Sequence, residues 1–423
     1  AILKRPLSVL LLHLLLLHTI HCLSNNWLNR RDLLQVTGGL SLTILAPPSS
    51  GAAAETAANT PFLAPEYYSP NLATAPQAGQ SFFPTLTPPF LNRATYRYTL
   101  GRNAWALEQL LTFVNVTATI RTNVILLESG GLWVHSPQWP TGEFCELLND
   151  IGHPVKHVVL PCNALEHKAP MKSFCDKYPD ATVWISPGQY GPFGTCGRSI
   201  TPDIQKTMGY RVDGVFGSDI QPPWLDEFDI ATLYVALPEN AGPVSEIAFC
   251  HCPTKTLIAT DSVVYVPDGP APSLFSTYFD KATTREPDFW PKSVLQSVFL
   301  PLRTDQNGMY PGYEALKERL VRAPILRAFA DARSPQAVKE WVTKISRFQF
   351  DRILTSHFAS PIAATPTEFK DAFAYLYNDG TSESKLPPIA CQDWQLLESL
   401  NRGIEDYRLG APVVFNYAKG CKE

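Results

Sequence analysis

Residues 155–168 read VKHVVLPCNALEHK and bring a thiol, a carboxylate and an imidazole close together at Cys162, Glu166 and His167. Side chains of these types ligate transition metals and move protons. Their position suits such work. Val155, His157, Val158, Val159 and Leu160 make a β-branched, apolar run stopped by Pro161, which predicts a short buried strand emptying into a polar loop. In open α/β sheets, chemistry gathers at such strand ends.

Around this loop the sequence predicts the frame that positions it. TYRYTL alternates as a strand does and opens the domain near Tyr96. Strands are expected over 124–127 and 132–135, joined by Glu128-Ser129-Gly130-Gly131. Thr141 can cap a helix running to about 150 that stops at Gly152. After the strand over 155–160 come a helix over about 168–178 and a strand over 182–186. Strand, helix, strand repeated is the rhythm of a sheet with crossover helices. The glycine-rich stretch 187–197 reads as a surface loop, because no GK[ST] element follows it. The second half predicts strands over 231–237, 246–252, 256–266 and 351–355. Ser334-Pro335 and Thr365-Pro366 open helices as cap-plus-proline pairs, and a last helix spans 394–407. No fixed-period repeat is present, but each half runs strands then helices, as a duplicated αββα sandwich does.

Composition sets outer bounds. With 423 residues, 45% hydrophobic and 17% charged, the chain can build a large core. A net charge of -4 leaves no basic stripe for nucleic acid. The first 56 residues read as targeting sequence: Lys4 and Arg5 precede an apolar run from Leu7 to Leu17, the plan of a secretory signal peptide. Arg30-Arg31, a mildly apolar stretch and the small residues of 51–54 then resemble a twin-arginine export signal. Two stacked signals fit a chloroplast protein of the thylakoid lumen, in an alga whose plastid import begins at the endoplasmic reticulum. Residues 57–94 form a Pro/Ala-rich linker, and 95–423 form the folded domain. Beyond the first fifty residues nothing is long and apolar enough to span a bilayer, so the processed protein is expected to have no membrane span.

The nine cysteines show no zinc-finger spacing. Cys250 and Cys252 share one face of a predicted strand with His251 on the other, and both are expected to pack in the core if His251 looks into a site.

GLWVHSP, VKHVVLPCNALEHK, YPDATVWISPGQ, FCHCPTKTLIATD and ILTSHFASPI, in that order, resemble a family of plastid and cyanobacterial proteins known only as a domain of unknown function. That family is similar in fold to the metallo-β-lactamases, and the resemblance covers roughly Thr95 to Ala364. It implies an α/β protein, a metallo-β-lactamase-like αββα four-layer sandwich. The superfamily's H-x-H-x-D-H motif is matched here by C-x-A-x-E-H, from Cys162 to His167. Carried over, one metal position is lost, since Ala164 cannot ligate. The other is complete in Glu166, His167, Asp261 and His357. His135 and His251 are expected as supporting residues behind the ligands.

Imidazole with carboxylate suits one zinc, iron or manganese ion. Asp261 follows the strand LIAT and His357 the strand RILTS, so both stand at strand ends. The resemblance thus implies a mononuclear metal-dependent hydrolase acting on a small molecule, with Glu166 or Asp261 orienting the attacking water and His167 and His357 holding the metal. The alternative is a metal-free binding or assembly factor with a lumenal protein as partner, in which the same residues are hydrogen-bonded remnants of a retired site.

Overall fold

The computed structural model describes residues 67–68, 94–113, 116–189, 208–236, 243–377, 389–406, 411–418 and 421. The targeting segment, most of the linker, the glycine-rich loop from 190 onward and residue 407 lie outside the described residues. Eight strands form one sheet in chain order: β1 (Tyr67–Tyr68), β2 (Tyr96–Gly101), β3 (Ala104–Phe113), β4 (Val116–Leu126), β5 (Leu132–His135), β6 (Val155–Leu160), β7 (Thr182–Ile185) and β8 (Gly214–Val215). Up to β5 neighbours are antiparallel. From β5 onward they run parallel, with α1 (Gly142–Asn149), α2 (Leu165–Lys168) and α3 (Met171–Lys177) in the crossovers. β1 falls inside the stretch read as linker and adds an edge strand to β2.

The remaining strands are β9 (Phe228–Val235), β10 (Val244–His251), β11 (Thr256–Ile258), β12 (Val263–Tyr265), β13 (Leu320–Arg322), β14 (Arg352–Leu354) and β15 (Ile362–Ala363). Five of them form a second sheet in the order β15-β14-β11-β10-β9, and β12 with β13 makes a two-stranded ribbon. Among the described residues no helix is long and apolar enough to cross a membrane.

Side-chain alternation stacks these sheets into layers. Trp133, Val159 and Trp184 point to an inner core shared with Ile247, Phe249, Ile258 and Leu354 of the second sheet. Their strand neighbours Val134, Val158 and Val183 point outward, onto Phe144 of α1 and Phe174 of α3. On the second sheet Ala248, Leu257 and Ile353 point outward to Trp341 of α4 (Pro335–Ile345) and Phe369 of α5 (Pro366–Asp371). A period of two, buried on both faces, gives helix, sheet, sheet, helix: the αββα sandwich expected. At its centre Trp133 lies 4.7 Å from Phe228, 5.1 Å from Phe249 and 5.5 Å from Trp224, ring centroid to centroid.

Three expectations are corrected. The strand predicted over 256–266 breaks into β11 and β12, because the backbone N–H groups of Thr260, Asp261 and Ser262 all donate to Glu246 Oε1 and leave the ladder. The helix predicted from about 168 begins at Leu165 and is divided before Met171, where Pro170 cannot continue the ladder. Glu166 and His167 therefore stand on a helical turn and not in a loop. Cys250 is buried, but Cys252 lies past the end of β10 and is exposed.

Candidate metal centre

Each expected ligand is delivered by the end of a strand. β6 ends at Leu160, and Pro161 to Ala164 lead into α2, which carries Glu166 and the fully buried His167. Asp261 sits in the break between β11 and β12, and His357 follows β14. One ligand atom from each of Glu166, His167, Asp261 and His357 lies within 4.8 Å of the others.

Asp261 Oδ1 is the meeting point. His167 Nε2 and His357 Nε2 each approach it at 3.1 Å. On the far side of each ring a fixed group sets its orientation. His357 Nδ1 donates to the Thr119 carbonyl at 2.7 Å, and His167 Nδ1 shares a hydrogen bond with Ser136 Oγ. Ser136 and Phe358, beside the two imidazoles, hold positive φ values of 53° and 56°. Such backbone is costly for residues other than glycine and marks places where the surroundings dictate conformation.

The loop bearing His357 is clamped from the other sheet. Arg121 donates to the carbonyls of Thr355 at 3.0 Å and Phe358 at 2.6 Å, and its charge is matched by Glu108. Asp261, by contrast, has no arginine partner among the described residues. Arg303 pairs with Asp393, and Arg352 donates to Thr256 Oγ1 and to the carbonyls of Leu100 and Gly101.

Charge follows from these contacts. Burial by itself raises the Asp261 carboxyl, but His167 and His357 beside it reverse this and hold it well below the usual carboxylate range. Burial lowers the His167 imidazole, and Asp261 more than offsets this, so its pKa is raised. The Cys162 thiol is pushed up by burial and by the charges of Asp261 and Glu246, and it points its proton at Asp261 Oδ2 from 3.9 Å.

The two supporting histidines part ways, His251 lying away from the cluster and His135 bordering it. His251 is at the far end of β10, paired with Thr256, and so stands at the start of β11 while Asp261 lies beyond its end. His251 is engaged there by Thr254 Oγ1 at 2.8 Å and Glu227 Oε2 at 3.2 Å. His135 is buried beside the cluster, where burial and then His167 push it down to about 3. Neither of its ring nitrogens has a hydrogen-bond partner among the described residues, and its ring stacks on Trp133. The support expected of it is given by its neighbour Ser136. Ser136, Thr119, Arg121 and Glu246 escaped the sequence reading, because their contacts join segments far apart in the chain.

A four-layer αββα sandwich with imidazoles and carboxylates converging at its strand ends defines a protein of the metallo-β-lactamase-like fold. Within that class the chain belongs to the family described as "Domain of unknown function (DUF4336)", whose model matches residues 102–284 and 273–375. No curated protein matches it. Among solved structures it is similar to a putative diflavin flavoprotein fragment from Nostoc sp. PCC 7120, with 10% identity and TM-score 0.39 over 67% of this chain and 97% of that one. It is also similar to a metallo-β-lactamase from Hirschia baltica, with 12% identity and TM-score 0.32 over 67% and 97%. The Flv1 flavodiiron core from Synechocystis sp. PCC6803 gives 9% identity and TM-score 0.40 over 67% and 61%. At these identities the likeness is one of outline and says nothing of the site's chemistry.

Proposed function

We propose that the cluster holds one transition-metal ion and that the protein is a mononuclear metal-dependent hydrolase. The observation that carries this reading is the commitment of His357. A carbonyl only accepts, so Nδ1 bears a hydrogen and Nε2 is the atom turned toward Asp261 Oδ1 at 3.1 Å. Two lone pairs at that distance repel unless a cation or a proton stands between them. The donor set of two imidazoles and two carboxylates, with the thiol of Cys162 protonated, suits zinc, iron or manganese. Such an ion supplies a Lewis acid and an acidified water for attack on a carbonyl or phosphoryl centre. His167 and His357 are held in register by Ser136 and Thr119. Glu166 accepts no hydrogen bond among the described residues and is partly exposed, so its carboxylate is available to orient the water and take its proton.

Turnover of a panel of small carboxylic and phosphoric esters tests the reading. Activity that is lost on chelation, restored by metal and lost again in Glu166→Gln supports it; activity indifferent to chelation contradicts it.

A second reading rests on the motif's first half. Ala164 cannot ligate and the Cys162 thiol is spent on Asp261, which fits a binding or assembly factor that has kept the fold and given up the reaction. Metal binding without turnover favours it. For location we keep the thylakoid lumen of an algal complex plastid. The stacked export signals support this, as does the Cys391–Cys421 disulfide, a bond favoured outside reducing compartments.

A further inference from the structure

Glu246, near the start of β10, is buried and supplies no ligand atom. Three consecutive backbone N–H groups, those of Thr260, Asp261 and Ser262, donate to its Oε1 at 3.1, 3.1 and 3.0 Å. Its main chain forms an isolated bridge with Cys162, and the next residue, Ile247, donates to the Pro161 carbonyl at 2.9 Å. Glu246 therefore stands where both halves of the cluster meet. Its neighbours Ser245 and Ile247 hold the segment leading to Glu166 and His167, Ser245 by accepting from Asn163 N–H at 3.3 Å, and the Glu246 side chain holds the turn that presents Asp261.

The turn is braced from its other side as well. Arg322 donates to the Ser262 carbonyl at 3.0 Å and, through two other nitrogens, to Asp331 at 3.0 and 2.8 Å. The Tyr375 hydroxyl closes the chain onto Asp331. Three N–H donors converging on one buried carboxyl oxygen fix the turn over 260–262 more tightly than its own backbone would fix it.

We propose that Glu246 is a positioning residue of the metal centre, its side chain aligning Asp261 with the two imidazoles by tying the strand break to the point of β10 that holds the motif segment. The proposal rests on the metal reading above. Its test is cobalt(II) titration of the full chain, following affinity and the visible absorption of the bound ion. Groups behind metal ligands typically contribute about 10- to 100-fold in affinity, and Glu246→Gln is expected to lose that much and to alter the absorption band. Glu227→Gln, a buried glutamate at the far end of the same sheet, is expected to lower thermal stability and leave affinity and spectrum as in wild type. If Glu246→Gln does not fold, Glu246→Asp, with the carboxyl one methylene short, is expected to show a smaller loss of affinity with the same change of band. Wild type that binds cobalt, with Glu246→Gln or Glu246→Asp matching it in affinity and spectrum, overturns this inference alone. Wild type that takes up no cobalt overturns it together with the metal reading.

Discussion

Asp261 Oδ1 receives two imidazole nitrogens at 3.1 Å from segments nearly two hundred residues apart, which makes this one oxygen the most constrained point of the cluster. Replacing either partner should therefore be decisive: Asp261→Ala and His357→Ala are expected to abolish metal binding in equilibrium dialysis. Cys162→Ala is expected to retain it, because the protonated thiol only donates toward Asp261 Oδ2. The four residues were legible because their types and strand-end positions fit the family motif. Their supports were not, since a serine after β5 or a carbonyl on β4 carries no local mark of the ring it will meet. His251 was misplaced for a related reason: a strand pattern gives the face of a residue but not the end of the sheet it will occupy.

Among the elements, β10 bears most on the site, since it carries Phe249 into the inner core and Glu246 to the strand break. Truncating a buried phenylalanine costs about 3–5 kcal/mol, and Phe249→Ala is expected to lower unfolding stability by that much in urea titration. The C-terminal helix α6 (Cys391–Asp406) is fastened by the Cys391–Cys421 disulfide across a sequence separation of 30. Loop-closure entropy puts that at roughly 3–4 kcal/mol, so the double replacement by serine is expected to cost a similar amount. Elements with one dominant signal were readable, as with β6, the Thr141-capped α1 and the capping box at Thr365. β3 was not. Its AWALEQLLTF is rich in helix formers, and pairing on both sides overrides that preference.

For the whole molecule, acidity should matter through two histidines away from the cluster, the half-buried His157 and the buried His251. Burial holds His157 down at about 4 from an ordinary 6.5, and His251 is lowered for the same reason despite Glu227. The unfolded chain then binds more protons than the folded one, so these two histidines make stability fall as pH drops from about 6.5 toward 4. His167, raised, acts in the opposite sense, its contribution being present at low pH and lost as pH rises through its folded pKa. Thermal melting across this range is expected to show a net loss on the acid side, reduced in His157→Gln. Targeting is the second whole-chain expectation: Arg30→Lys with Arg31→Lys should leave the protein on the stromal side of the thylakoid, as read by fractionation. The most direct measurement is the metal content of the purified domain, by elemental analysis after metal-replete expression and exhaustive dialysis. A single complete ligand set predicts about one transition-metal ion per chain, absent in Asp261→Ala. Two ions per chain, or none in the wild-type protein, would contradict it.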